Sequence, residues 1–337
     1  MDSGSSRAAP WSKLSPSIQL RQPCSSGAVP RNPKPDMDRC GPTSQPRAEL
    51  PRPASPSYYL IITSSNESRI MGSQEAEMPS EESQYSMVPA EELPLNDDCH
   101  HYEGKYEVPW DIQKYFAQRY SIFSLYDYGV YMTDDAWFGV TPEPVANRVA
   151  HDMYGTDQKK HILIDVFAGA GGNTIAFTLS ERWSRIISIE RDPSTLACAQ
   201  NNAKVYGIEP GIITWVLGDS FEYLDKLFNR PEELHPDLRV DLDVTVLFAS
   251  PPWGGPGYRT DEVFNLYNMQ PYNLGDLHTA YNRLDHALFL PRTSDIRQIA
   301  KLAPSDRKVE VVQYCMEGAS KALVAYLPGS YPSQTSE

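Results

Sequence analysis

The chain has 337 residues, with 44 Asp and Glu against 30 Lys and Arg, and a formal net charge of −14. This acidity argues against a protein that binds long duplex nucleic acid, because such binding takes most of its affinity from phosphate neutralisation. The five cysteines are scattered, with no CxxC pair and no histidine cluster beside them, so neither a disulfide framework nor a metal site is expected.

Residues 1–98 hold 14 of the 29 prolines, mixed with Ser, Gln and Arg. Such a composition buries too little apolar area to offset the entropy of ordering, so we predict a disordered tail. Its second part is acidic, since residues 61–100 carry nine acids against one Arg. The N-terminus has no apolar core of a signal peptide and no run reaches membrane-spanning length, so we expect a soluble intracellular protein.

Residues 99–153 are rich in aromatic side chains and mostly helical in pattern. This segment is too short to build a core of its own, so it should pack on the next domain as a flank or lid.

Residues 154–337 alternate apolar runs with helical patterns, which is typical of an α/β domain. The continuous apolar runs predict a mostly parallel seven-stranded sheet with helices on both faces, ending in an antiparallel hairpin. The predicted strands are 162–167, 185–190, 211–219, 240–250, 286–291, 308–315 and 321–327.

The first predicted strand ends in the sequence DVFAGAGGNT, residues 165–174. Gly169 and Gly171 allow a tight turn and a close backbone approach to a ligand, and the helix that begins near Asn173 offers free N–H groups. Ligands of open α/β sheets bind beyond the carboxyl ends of the strands. We therefore expect Asp165, the glycines and Asn173 to line a nucleotide-like site.

The second strand ends in Glu190 and the third in Asp219. An acid at the first of these positions commonly accepts hydrogen bonds from a ribose diol, and Asp219 is suited to the exocyclic amine of adenine. Together the three acid-tipped strand ends resemble the S-adenosylmethionine pocket of class I, Rossmann-like methyltransferases. The alternative is that Glu190 and Asp219 only cap the helices that follow them.

The fourth strand ends in SPPWGGPGY, residues 250–258. Prolines remove backbone donors and glycines remove side chains, so this stretch gives up sheet pairing and core packing in favour of a binding edge. SPPW fits the Asp/Asn/Ser-Pro-Pro-aromatic pattern of methyltransferases that modify exocyclic or amide nitrogens. Ser250 Oγ and the Pro251 carbonyl could orient such an amine, whose positioning supplies much of the catalysis.

Trp253 completes this motif and offers the best side-chain face for a cation. A positively charged purine such as 7-methylguanine would gain both stacking and cation–π attraction from it. The alternative is a tryptophan that fills the core beneath the glycine-rich loop.

Several stretches taken together resemble the trimethylguanosine synthase family, the RNA cap guanine-N2 methyltransferases. The resemblance covers about residues 109–327, and the stretches that carry it are KYFAQRYSIFSLYDYGVYMT, DVFAGAGGNTIAF, ACAQNNAKVYGI, SPPWGGPGY and LPRTSDIRQIA. It implies methyl transfer from S-adenosylmethionine to N2 of the 7-methylguanosine cap of small nuclear and nucleolar RNAs, in the nucleus. It further implies a monomer that uses no metal and no membrane, with the tail free to bind ribonucleoprotein proteins.

The resemblance also assigns site residues. Asp165, Glu190 and Asp219 would hold the cofactor, and Phe123 and Thr141 of the flank would close over it. The catalytic residues would be Ser250, Pro251 and Trp253, while Asn202 would touch the base and Arg292 and Lys114 would grip the cap phosphates. Without the resemblance, Arg292 and Lys114 would be ordinary surface side chains.

Two other functions remain open at this point. One is a guanine-N2 or adenine-N6 methyltransferase that acts inside RNA or DNA, which the net charge of −10 over residues 101–337 disfavours. The other is a non-catalytic methyltransferase fold that serves as an RNA-binding scaffold, which the intact glycine loop and Pro-Pro motif disfavour.

Overall fold

A computed structural model describes residues 18–21, 85–154, 159–255, 260–316 and 318–330. All of them belong to one of the chain's two compact units, and the other unit, Cys24–Met78, contains none of them. Most of the tail that we predicted as disordered, and the end of the SPPWGGPGY stretch, lie outside the described residues.

A single sheet forms the centre of the described fold, with strand order β1-β7-β8-β6-β5-β2-β3-β4. Every neighbouring pair is parallel except the two that involve β8, which runs antiparallel to β6 and β7. The strands are β1 (Ile18–Arg21), β2 (Ile162–Asp165), β3 (Arg185–Glu190), β4 (Ile213–Leu217), β5 (Thr245–Ala249), β6 (Asp285–Pro291), β7 (Val309–Met316) and β8 (Ala319–Leu327).

The seven strands β2–β8 confirm the predicted mostly parallel sheet with its C-terminal antiparallel hairpin. The tail strand β1 adds an eighth, which the sequence did not predict; it pairs with β7 from Ile18 opposite Val309 to Arg21 opposite Val312. The fourth strand is shorter than predicted because Asp241 caps a 3₁₀ turn over Leu242–Val244 before β5 begins.

Helices cover both faces of the sheet, as predicted. Because neighbouring residues of a strand point to opposite faces, Leu163 joins the hydrophobic cluster under α4 and α5, whereas Ile164 joins the cluster under α7, α8 and α9. The helices are α1 (Gln113–Phe116), α2 (Arg119–Ile122), α3 (Ala136–Gly139), α4 (Glu143–Tyr154), α5 (Gly172–Leu179), α6 (Pro193–Val205), α7 (Ser220–Asn229), α8 (Leu274–Tyr281) and α9 (Ile296–Ala300).

The aromatic flank packs on the first of these two clusters. Phe116, Tyr126 and Trp137 are almost fully buried there, together with residues of α4 and α5. Its helices are single turns apart from α4, so the flank is held mainly by its large buried rings.

Residues 85–98, which we call the strap, lie against the domain although the sequence analysis placed them in the tail. Ala90 N–H donates to the Trp215 carbonyl of β4 at 2.7 Å, and Met87 is buried beneath the same edge. Further along, the Gln200 side chain of α6 accepts from Leu93 N–H and donates to the Glu91 carbonyl. The strap therefore joins the β4 edge of the sheet to α6.

Candidate active site

The carboxyl ends of β2, β3, β4, β5 and β6 meet at one edge of the sheet because these strands are parallel. The glycine loop stands at the centre of this edge, directly after β2. Gly169 and Gly171 have φ values of +52° and +90°, which favour glycine, and Gly171 is the N-cap of α5. A Cβ on Gly171 would lie 3.4 Å from Ala199 of α6, so the turn is also tightly packed.

Asp165 lies beneath this loop and has no exposed surface. Its carboxylate accepts from the Thr174 hydroxyl at 2.7 Å, and Thr174 is linked in turn to Ser188 of β3 at 2.7 Å. Burial raises the pKa of Asp165 to about 6, against the lowering effect of these hydrogen bonds. In this structure Asp165 ties the loop to the sheet rather than facing an open site.

The flank covers the first turn of α5. A Cβ on Gly172 would lie 3.3 Å from Val140 and 3.9 Å from Phe123, so both flank residues sit directly over the loop. Asn173 Nδ2 donates to the Thr141 hydroxyl at 3.1 Å. Phe123, Thr141 and Asn173 are therefore neighbours, and their contact with a cofactor stays a prediction.

Asn173 also supplies a test of whether a ligand fits here. Its Oδ1 atom is buried and has no hydrogen-bond partner among the described residues. An unpaired buried acceptor costs roughly 1–3 kcal/mol. A ligand amine or ammonium at the glycine loop would supply the missing donor, which suits the methionine end of S-adenosylmethionine.

Glu190 stands at the end of β3, half-buried. Its carboxylate accepts from Gly169 N–H at 2.9 Å and from the N–H groups of Arg191 and Asp192. Burial raises its pKa, although these three donors lower it. Glu190 does not cap α6, because Asp192 does so by accepting from Thr195 N–H.

Asp219 does cap the helix that follows it. Its Oδ1 accepts from Phe221 and Glu222 N–H at the start of α7. The other oxygen, Oδ2, accepts from the Tyr272 hydroxyl at 3.3 Å and so remains directed away from the helix. The capping alternative is therefore right for Asp219, yet one carboxylate oxygen is left for further partners.

Three aromatic rings that sequence reasoning missed surround Asp219. Tyr272 lies 4.3 Å from Phe221 and 6.1 Å from Phe167, measured between ring centroids. These rings make an apolar patch beside an acidic acceptor, a combination that suits a purine ring. Phe167 and Phe221 adjoin predicted residues, whereas Tyr272 comes 53 residues after Asp219 in a loop without periodicity and gave no signal.

Ser250 follows β5, half-buried, beside the glycine loop. Its hydroxyl donates to the Phe167 carbonyl at 3.5 Å, which is a long hydrogen bond. Pro251 is buried next to it. The SPPW motif and the glycine loop therefore lie in contact.

Trp253 partly fills the core and partly faces solvent, so both roles that the sequence suggested for it apply. Its Nε1 donates to the Phe289 carbonyl at 3.2 Å, and its ring lies parallel to that of Phe289, 6.0 Å away and within 11°. It packs on both core clusters yet keeps part of its surface exposed. One part of the ring is thus anchored and the remainder can meet a ligand.

Arg292 and Lys114 are both exposed, Arg292 just after β6 and Lys114 on α1 with its ammonium 4.8 Å from the Tyr115 ring. Asn202 lies elsewhere than expected. It is fully buried, and its amide bonds to the N–H and carbonyl of Tyr131 and to the Ala170 carbonyl. Asn202 thus joins the flank to the glycine loop and has no polar group free to touch a base.

Comparison with known proteins decides the family. A sequence profile described as RNA cap guanine-N2 methyltransferase matches residues 160–330, the whole of the sheet from β2 to β8. The chain belongs to the RNA cap guanine-N2 methyltransferase family. It is therefore an enzyme of the S-adenosylmethionine-dependent methyltransferases, and the resemblance stated above is confirmed.

Two relatives of this cap methyltransferase are trimethylguanosine synthases. That of Schizosaccharomyces pombe is 34% identical over 221 residues, covering 65% of this chain and 87% of the relative. That of Saccharomyces cerevisiae is 30% identical over 212 residues, covering 61% and 63%. Among solved structures, the SAM-dependent methyltransferase of Agrobacterium tumefaciens is similar with a TM-score of 0.38 and 15% identity, covering 56% of this chain and 63% of that one.

Two further observations concern the described part of the cap methyltransferase. None of its helices combines the length and apolarity needed to cross a membrane. Nor do three or more His, Cys, Asp or Glu side chains gather there in a way that could hold a metal ion.

Proposed function

We propose that this chain transfers methyl groups from S-adenosylmethionine to the N2 amine of 7-methylguanosine caps on small nuclear and nucleolar RNAs, giving 2,2,7-trimethylguanosine caps. The observation that carries the proposal is the position of SPPW at the end of β5. There Ser250 contacts the glycine loop of this chain, and Trp253 is half-exposed three residues later. The two trimethylguanosine synthases in yeasts support the same product.

The cofactor residues divide by the part of the ligand that they suit. Asn173 Oδ1 and the glycine loop suit the amino-acid end, Glu190 the ribose hydroxyls, and Asp219 with the aromatic rings beside it the adenine. Phe123 and Thr141 exclude water from above the loop. When bound, S-adenosylmethionine supplies a methyl group on a positively charged sulfur, which an amine nitrogen can attack without a strong base.

The acceptor residues act by orientation. The guanine amine is a weak nucleophile because its lone pair is delocalised into the ring. Ser250 Oγ and the Pro251 carbonyl accept its N–H groups and direct the lone pair, and such positioning is worth up to roughly 7–11 kcal/mol. Trp253 stacks on the methylated base, whose positive charge adds a cation–π attraction of roughly 0.5–2 kcal/mol.

Arg292 and Lys114 bind the triphosphate that joins the cap to the RNA. Both are exposed, and neither forms a salt bridge with an acid of the described chain. Local charge pairing of this kind overcomes the overall acidity of the protein, since charge-assisted hydrogen bonds are about twice as strong as neutral ones. Nuclear localisation, a monomeric state and recruitment of ribonucleoprotein proteins by the tail belong to the same proposal.

The test uses the full-length chain with S-adenosylmethionine and two dinucleotides, GpppG and its 7-methylated form, read by mass spectrometry. We expect one or two methyl additions to the 7-methylated form alone. Methylation of both forms would contradict the cation-selective role of Trp253 and indicate a broader guanine-N2 enzyme. Cofactor binding without methylation of either would favour an internal RNA target or a scaffold.

Two variants of Trp253 refine this test. Trp253→Phe keeps a smaller ring and should lower kcat/KM for the 7-methylated dinucleotide only moderately. Trp253→Ala removes the ring and should lower it by tenfold or more, since about 1.4 kcal/mol corresponds to a factor of ten. Cofactor affinity, measured by calorimetry, should change little in either variant, and a parallel loss would mean that the ring supports the fold instead.

A further inference from the structure

The flank segment that precedes α2 has a buried side. Residues 104–116 form a series of turns with hydrogen bonds such as Val108 N–H to the Lys105 carbonyl and Phe116 N–H to the Ile112 carbonyl. Val108, Ile112 and Phe116, spaced four residues apart, are 4%, 1% and 4% exposed. They fix this segment on the hydrophobic cluster under α4 and α5.

A second row has the same spacing and lies on the other side. Tyr106, Trp110 and Lys114 are each displaced by two residues from the buried row and are exposed to solvent. Tyr106 is 86% exposed and Trp110 is 87% exposed, the highest fractions among the large hydrophobic side chains of the described residues. We call Tyr106, Trp110 and Lys114 the outer row.

The backbone that carries the outer row is constrained by turns and by a proline. The Tyr106 ring lies over Gly104, at a place that a Cβ on that residue would fill. Trp110 follows Pro109, whose fixed φ stiffens the turn. Two aromatic faces on a constrained backbone are therefore presented to solvent.

We propose that Tyr106 and Trp110 form a stacking platform for the single-stranded RNA that follows the cap triphosphate. The inference depends on the proposed function, because Lys114, at the end of the outer row, is the residue proposed to bind the cap phosphates. Each ring is more than four-fifths exposed, so each offers its own face to a base. Stacking on aromatic side chains is the usual, sequence-tolerant way to hold single-stranded RNA.

Charge indicates that stacking, not phosphate attraction, provides this binding. Lys105 and Lys114 alternate with Glu107 and Asp111, so the segment is not a basic groove. The contribution of the two rings should therefore not depend on salt, whereas the contribution of Lys114 should fall as salt rises. A protein partner on the same rings is the competing possibility.

The experiment compares two substrates of the full-length chain: the 7-methylated cap dinucleotide, and a short unstructured RNA that carries the same cap. Tyr106→Ala/Trp110→Ala should lower kcat/KM for the capped RNA at least about fivefold, the lower end of what one lost base stack costs. It should leave kcat/KM for the dinucleotide unchanged. Tyr128→Ala, which removes a 76% exposed tyrosine of the flank outside the outer row, is the matched control and should change neither.

Two further readouts settle the remaining outcomes. Trp110→Phe should keep most of the activity that Trp110→Ala loses on the capped RNA, since phenylalanine still offers a stacking face. If the dinucleotide is not methylated at all, the proposed function fails, and the platform is judged by fluorescence anisotropy of the labelled capped RNA. Equal affinity of wild type and double variant in that assay, or equal losses on both substrates, would overturn the platform and favour a protein partner.

Discussion

Replacing the buried carboxylate beneath the glycine loop should make this enzyme more stable at neutral pH. Asp165 is fully buried, and its pKa rises from 3.8 to about 6 in the folded chain. Above pH 6 it is ionised in both states, and the folded state carries the cost of that shift. At about 1.36 kcal/mol per pKa unit, the cost at pH 7 is about 3 kcal/mol.

Asp165→Asn removes the charge while keeping the shape. The amide can still accept from Phe167 N–H and donate to Thr174, which would reverse the direction of the Thr174–Ser188 hydrogen bond. That rearrangement costs roughly 1 kcal/mol, the usual net contribution of a hydrogen bond. We therefore expect a gain of about 2 kcal/mol in the free energy of unfolding at pH 7.

The direction in which stability changes with pH follows from proton binding. Between the unfolded pKa near 3.8 and the folded pKa of about 6, the folded chain holds the extra proton, so wild-type stability falls as pH rises through this window. The advantage of the variant should thus grow from pH 4 to pH 7.

Urea unfolding of both proteins without cofactor, at a series of pH values in this range, measures the difference and cancels the other titrating groups. Asp225→Asn is the control. Arg230 lowers the pKa of that exposed carboxyl, so this variant should be less stable than wild type rather than more stable. A difference between Asp165→Asn and wild type that stays constant across the range would refute the reasoning.

Three other predictions concern the site and the strap. Gly171→Ala should cost about 1–2 kcal/mol in thermal unfolding and weaken cofactor binding, because φ is +90° there, whereas Gly139→Ala, with an open neighbourhood and an ordinary φ, should be nearly neutral. Tyr272→Phe removes the hydroxyl on Asp219 and should weaken cofactor binding about two- to tenfold by calorimetry with an unchanged melting temperature; an unchanged affinity would mean that Asp219 is oriented by its helix alone. Met87→Ala should cost about 2 kcal/mol in urea unfolding, since Met87 is buried at the edge of the core, while Leu95→Ala, exposed in the same strap, should cost little.

The parts of the fold that sequence predicted are those with strong local patterns. Apolar runs located the seven strands from β2 to β8, and the glycines and prolines located the loops that form the site. The strap was missed because its two prolines and four acids interrupt any apolar period, and what holds it is backbone pairing with β4 and the distant side chain of Gln200. Neither partner can be deduced from the composition of the strap.

The site itself shows the same division. Acids at strand ends were correctly placed, because parallel strands bring their carboxyl ends together. Asn202 was misassigned because a helical asparagine near the glycine loop has the same sequence pattern whether it faces a base or, as here, the Tyr131 backbone. Tyr272 was missed because its partner Asp219 lies across an irregular loop.

The strap also determines when the enzyme can finish folding. Ser86 of the strap bonds to the Glu233 carbonyl and Leu93 to Gln200, separations of 147 and 107 residues along the chain. A ribosome that has just made the strap must therefore synthesise more than a hundred further residues before these partners exist. Because long-range pairings of this kind form slowly and late, the strap joins the β4 edge to α6 only when most of the chain has been made.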